Sequence, residues 1–207
     1  MAGRNVGVGC PCFVIAEVGV NHNGSAALAH QLIDAASAAG ADAVKFQTFK
    51  ADRLVTQSAP KATYQLTGSD DHETQHEMLR RLELSEDAYH GLRRHCEASS
   101  IKFLSTPFDR ASADFLVSVG IDAIKIGSGD LTDHFLLTHL AGLKRPLILS
   151  TGMASLTDVK RALSVIERGG APPLALLPCV RKYPAAAGPG TLRAQHTTPA
   201  PGSPRGA

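Results

Sequence analysis

Short apolar runs that end in polar residues, each followed by a stretch with helical spacing, recur along this chain. They are FVIAEVGVNHNG (13–24), AVKFQTF (43–49), KFLSTPF (102–108), AIKIGSGD (123–130) and PLILSTGM (146–153). This pattern predicts strands at 13–19, 43–49, 102–108, 123–129 and 146–152, with LALLPC (174–179) as a sixth. Helices are predicted over 25–39, 86–99, 133–141 and 156–168, with another starting behind an Asp109 cap. The first is capped by Ser25, carries Leu28, Leu32, Ala35 and Ala39 as its apolar stripe, and stops at Gly40. Ser85 caps the second, with Ala88, Leu92 and Cys96 at spacing four. Phe115, Leu116 and Val119 face inward ahead of Gly120, and Ser155 with Asp158 forms a capping box.

Strands alternating with helices imply a parallel sheet, and the repetition favours a (β/α) TIM-type barrel over an open one. A complete barrel takes about 250 residues, so 207 residues with six strand candidates predict an incomplete barrel, about six of eight βα units. The expected organisation is a lead over 1–12, a partial barrel domain over 13–184 and a tail over 185–207. Prolines, glycines and alanines without periodicity fill that tail, which is expected to be disordered because it offers too little apolar surface to bury. The 50–84 segment is longer than an ordinary βα loop. It is expected to cover a site, with a short amphipathic helix over 72–83.

Composition narrows the classes. The 21 Lys and Arg nearly balance 19 Asp and Glu, with no basic block, which argues against nucleic acid and membrane surfaces as partners. No window approaches a membrane span. Cys10, Cys12, Cys96 and Cys179 are sparse and irregular, as expected in the cytoplasm, and Cys10–Cys12 lacks the second pair that a zinc site needs.

The chemistry concentrates at strand ends, where such barrels collect it. Lys45 and Gln47 share one face of their strand, with Val44 and Phe46 on the other. Lys125 repeats the arrangement between Ile124 and Ile126. Charges inside apolar runs need an anion or a carboxylate to meet them. With Ser105, Thr106, Ser128, Ser150 and Thr151 they form a receptor for phosphate and carboxylate groups. A purely structural ion-pair network is the alternative. Glu17 serves as base or electrostatic stabiliser, or simply neutralises a lysine. His22, in VNHNG, either touches substrate or caps the turn. HETQH (72–76) fits the H-E-x-x-H zinc-protease pattern, weighed against a solvated helix in a covering loop, since no third ligand follows.

AEVGVNHNG, KFQTF, STPFD, KIGSGD, LSTGM and C-x-x-x-YP, in this order, resemble the sialic acid synthases, from about residue 13 to 184. These include N-acetylneuraminate synthase and its legionaminic and pseudaminic relatives. The resemblance implies a TIM barrel followed by a small antifreeze-like domain, in domain-swapped dimers. It implies condensation of phosphoenolpyruvate with an N-acetylated sugar such as N-acetylmannosamine, giving a nine-carbon 2-keto acid and phosphate. It also implies a divalent metal, Mn or Mg, acting as Lewis acid on the aldehyde. By motif, Lys45, Thr106, Lys125, Ser128 and Ser150 would bind phosphoenolpyruvate and Gln47 would position the reactants. Glu17 would stabilise positive charge at the enol-ether carbon or orient water, while Asp130 and Tyr183 would contact the sugar.

Departures accompany the resemblance. The family's metal-binding histidines, in motifs resembling SDHT and ERHF, have no counterpart here, so no metal ligand is assigned. Arg181 stands where the family has a small polar residue. The last barrel strands and the C-terminal domain are missing, which makes the family's homodimer doubtful and predicts a truncated chain with little activity alone. A different phosphoenolpyruvate aldol-type synthase making a 3-deoxy sugar acid, and a non-catalytic partner-binding remnant, are the alternative expectations.

Overall fold

The computed structural model describes residue 3 and residues 5–7, 9–61, 73–152 and 154–179. Its elements run β1 (Ile15–Gly19), α1 (Ala26–Ala38), β2 (Ala43–Thr48), α2 (Ala51–Leu54), α3 (Gln75–Arg81), α4 (Glu86–Ala98), β3 (Lys102–Pro107) and α5 (Arg110–Val119). They continue through β4 (Ala123–Ile126), α6 (His134–Gly142), β5 (Leu147–Ser150), α7 (Leu156–Gly169) and β6 (Leu174–Leu177). All the strands expected from the pattern form, and the helices predicted with a cap begin where that cap sits. Ser25, Ser85, Asp109 and Ser155 each accept from a backbone N–H of the first turn, and Ser155 with Asp158 completes a capping box. Gly120 closes α5 in the left-handed conformation. The expected disorder of 185–207 lies outside the described residues.

The chain divides into two units, one over 4–121 and one that begins at Asp122. In the first, β1, β2 and β3 pair in parallel and in order, with Glu17 opposite Lys45 and Gln47 opposite Thr106. Val44, Phe46 and Phe103 are fully buried with Ala29, Ile33, Leu92, Cys96 and Leu116 from the helices. The buried face of α1 is Ala29, Ile33 and Ala36 rather than the predicted Leu28, Leu32, Ala35 and Ala39, of which Ala35 and Ala39 are exposed. Both stripes satisfy the helical period, and the small side chains of Ala29 and Ala36 suit a tightly packed face. On α4 the buried positions are Tyr89, Leu92 and Cys96, with Ala88 half-buried.

In the second unit β4, β5 and β6 are again parallel and sequential. Ile124, Ile126, Leu147 and Leu149 are buried, as are Leu137, Leu140 and Ala141 of α6 and Val159, Ala162 and Ile166 of α7. α6 and α7 touch closely because Gly169 has no side chain; a methyl there would lie 2.7 Å from the Ala141 Cβ.

Candidate functional site

Glu17 meets Lys45 because the two lie directly opposite each other in the β1–β2 ladder, just before β1 bulges. Pairing runs Glu17 to Lys45 and then skips to Gly19 opposite Phe46, with Gly19 at φ +54°. The Lys45 Nζ lies 2.7 Å from Glu17 Oε1, the lysine side chain 8% exposed and the glutamate 59%. A methyl on Gly19 would fall 3.0 Å from Glu17 Oε1 and 3.7 Å from the Gln47 amide nitrogen. Glycine therefore leaves room between the two groups. Lys45 and Gln47 share a face by strand alternation, and Thr106, opposite Gln47, joins it, 3% exposed.

Ser105 does not belong to this set. It pairs with Phe46, on the helix side, and its hydroxyl lies 2.7 Å from the Thr48 hydroxyl. A serine carries no apolar signal to mark its face, and only its register settles the matter.

His22 is buried in the turn after β1. Its Nδ1 accepts from the Gly24 N–H at 3.1 Å, and burial holds the imidazole below its ordinary value of 6.5. This is the turn-capping role. Gly24, at φ +77°, packs against the Arg81 carbonyl, which a side chain there would strike. The turn is thus seated on the end of α3, within the 50–84 segment. The two ends of that segment are joined: Glu83 accepts from the Ala51 N–H at 2.7 Å and from Lys50 Nζ at 3.0 Å.

HETQH does not form a zinc helix among the described residues. His72 lies outside them. α3 begins at Gln75 behind a Thr74 cap, so Glu73 precedes the helix. Glu73 pairs with Lys61 at 2.9 Å and Arg81 at 2.6 Å, and the buried His76 Nε2 lies 2.7 Å from Asp52 Oδ1. The capping threonine displaced the helix start that the pattern requires. His76 is also buried on an acid rather than solvated.

In the second unit Lys125 pairs with Ile148, and Ser150, two residues on, shares their face. The Lys125 Nζ donates to the Ile126 carbonyl at 3.3 Å. Half-buried Ser128 follows in the turn. Asp130 is also half-buried; burial, then the Asp133 carboxylate, push its carboxyl up, against a smaller opposing effect from Lys125. Gly152 admits Cys179, whose Sγ would be 2.6 Å from a methyl at that glycine. Tyr183 and Arg181 lie outside the described residues. No cluster of three or more His, Cys, Asp or Glu among the described residues is arranged to hold a metal ion, so the expected divalent cation has no fitting site among them. No described helix is long and apolar enough to cross a membrane.

Residues 32–199 match the NeuB family. The N,N'-diacetyllegionaminic acid synthase of Legionella pneumophila is 46% identical over 190 residues, covering 90% of this chain and 53% of the relative. Its Campylobacter jejuni counterpart is 45% identical over 174 residues, 83% of this chain and 52% of the relative. The crystal structure of N-acetylneuraminic acid (sialic acid) synthetase from Leptospira borgpetersenii in complex with citrate matches with a TM-score of 0.76 at 29% identity. That match covers 91% of this chain and 61% of the other. The chain spans about half the length of the curated relatives it matches.

Proposed function

The chain belongs to the NeuB family, and from that premise we propose that it binds phosphoenolpyruvate for condensation with an N-acetylated sugar aldehyde. The product is a 2-keto sugar acid of the sialic and legionaminic class. The Glu17–Lys45 pair carries this reading: an ammonium 8% exposed, 2.7 Å from a carboxylate that is mostly in water. An ion pair with one partner so exposed contributes about 1 kcal/mol or less, while burying an ion costs several. Stability does not explain that lysine; an anionic ligand does.

In the proposed reaction C3 of phosphoenolpyruvate bonds to the aldehyde carbon, whose oxygen takes up a proton. Water adds at C2 and phosphate leaves, so phosphoenolpyruvate, aldehyde and water give the 2-keto acid and phosphate. Lys45, Thr106, Lys125, Ser128 and Ser150 hold the carboxylate and phosphate by charge-assisted hydrogen bonds. Gln47 positions the reactants. The exposed Glu17 carboxylate faces positive charge developing at C2 or orients the water. Asp130 and Tyr183 contact the sugar. No step is assigned to a metal.

Calorimetric titration of phosphoenolpyruvate into the protein tests the binding. Saturable binding that weakens in Lys45→Met supports the reading, and its absence overturns it. The mass of the product formed with N-acetylmannosamine then tests the chemistry.

A further inference from the structure

Behind the Lys45–Gln47 face, on the helix side, lies a line of buried hydroxyls that the proposed chemistry does not use. Tyr89 of α4, Thr48 of β2 and Ser105 of β3 are 5%, 5% and 0% exposed. The Tyr89 hydroxyl donates to the Gln47 backbone carbonyl at 2.7 Å. Burial pushes the Tyr89 phenol up to about 12, so it keeps its proton. A carbonyl only accepts, so the single phenol proton is spent on Gln47. The Thr48 and Ser105 hydroxyls share a further bond at 2.7 Å, in which either can donate.

We propose that Tyr89 is a positioning residue for Gln47, fixing its backbone at the end of β2 so that its side-chain amide is held ready for the substrate. The inference rests on the phosphoenolpyruvate reading. Pairing of β2 with β1 ends at Phe46, so on that side the strand has no ladder partner beyond it among the described residues. Tyr89 supplies one from the helix layer. The Tyr89 ring is itself fixed by Phe115, edge to face at 5.6 Å. Stability alone does not call for such a line, because an apolar layer of the same shape is nearly as stable as a buried hydrogen-bonded one. What the Tyr89 hydroxyl adds is direction: it orients one carbonyl two residues beyond Lys45.

The test is a double-mutant cycle on phosphoenolpyruvate affinity, measured well below the melting temperature of each variant. Tyr89→Phe is expected to weaken binding roughly tenfold, as for one misdirected buried hydrogen bond. Gln47→Ala also weakens it, and the double variant binds no worse than Gln47→Ala alone. Additive losses, or an unchanged affinity with a lower melting temperature, overturn the proposal. If wild-type protein fails to bind phosphoenolpyruvate, the functional reading falls, and a ligand-independent readout decides the positioning. The Gln47 side-chain amide gives a dispersed NMR pair in wild type that averages in Tyr89→Phe. An unchanged pair overturns the role.

Discussion

Lys45 holds an ammonium in a place that gives it little in return unless a ligand arrives. Its partner Glu17 is 59% exposed, so replacing the lysine leaves a solvated carboxylate rather than a buried orphan charge. Lys45→Met is therefore expected to cost roughly 10- to 150-fold in phosphoenolpyruvate affinity, the range for a charge-assisted hydrogen bond. Its melting temperature should stay level or rise; an unfolded variant would show a structural role instead. His22 gives a pH-dependent counterpart. Its folded value lies below 6.5, so the unfolded chain takes up a proton first as the pH falls. The stability it contributes is complete above 6.5 and is lost as pH drops through the lower folded value. His22→Asn keeps an acceptor for the Gly24 N–H but does not titrate. The melting-temperature gap between wild type and this variant should shrink from pH 7.5 to pH 5, and a constant gap would refute the assignment. Lys45 and Gln47 were legible in sequence because two polar residues at period two in an apolar strand state their own face. Tyr89 was not: an aromatic at helical spacing reads as core, and its hydroxyl partner is 42 residues away.

Local devices set the elements, and these were the most legible. Ser155 caps α7 and shares a capping box with Asp158, whose carboxyl is held low by the Ser155 hydroxyl and N–H. Ser155→Ala should lower stability by about 0.5–2 kcal/mol in urea unfolding. Every bond in that cap joins residues within one turn, which is why the sequence announces it. α2 went unseen for the opposite reason. It is four residues long, and its first N–H is capped by Glu83, 32 residues on. Gly24 lies between the two cases. The φ of +77° is implied by an Asn-Gly turn, but contact with the Arg81 carbonyl depends on where α3 packs. Gly24→Ala combines left-handed strain with that collision and should cost about 1–3 kcal/mol. Because the turn also carries His22, its pH dependence should change with it.

Each of the two units holds a lysine flanked by apolar residues within a strand, Lys45 in β2 and Lys125 in β4. The alternation of strands and helices made the α/β class and parallel order readable. The chain covers about half the length of its curated relatives. The functional proposal nonetheless makes a demand on the chain as a whole. Phosphoenolpyruvate at 100 times its dissociation constant should stabilise the folded protein by about 2.7 kcal/mol. For a chain of this size that is a rise of roughly 5–10 °C in melting temperature. A ligand held by Lys45 alone protects only the 4–121 unit. One that Lys125 also holds protects amides in both β2 and β4, and either lysine's removal then lowers protection in both. Hydrogen exchange with and without phosphoenolpyruvate, on wild type, Lys45→Met and Lys125→Met, reads this directly. Protection confined to one unit would remove Lys125, Ser128 and Ser150 from the proposed binding set. Joint loss from either substitution would place both lysines on one anion.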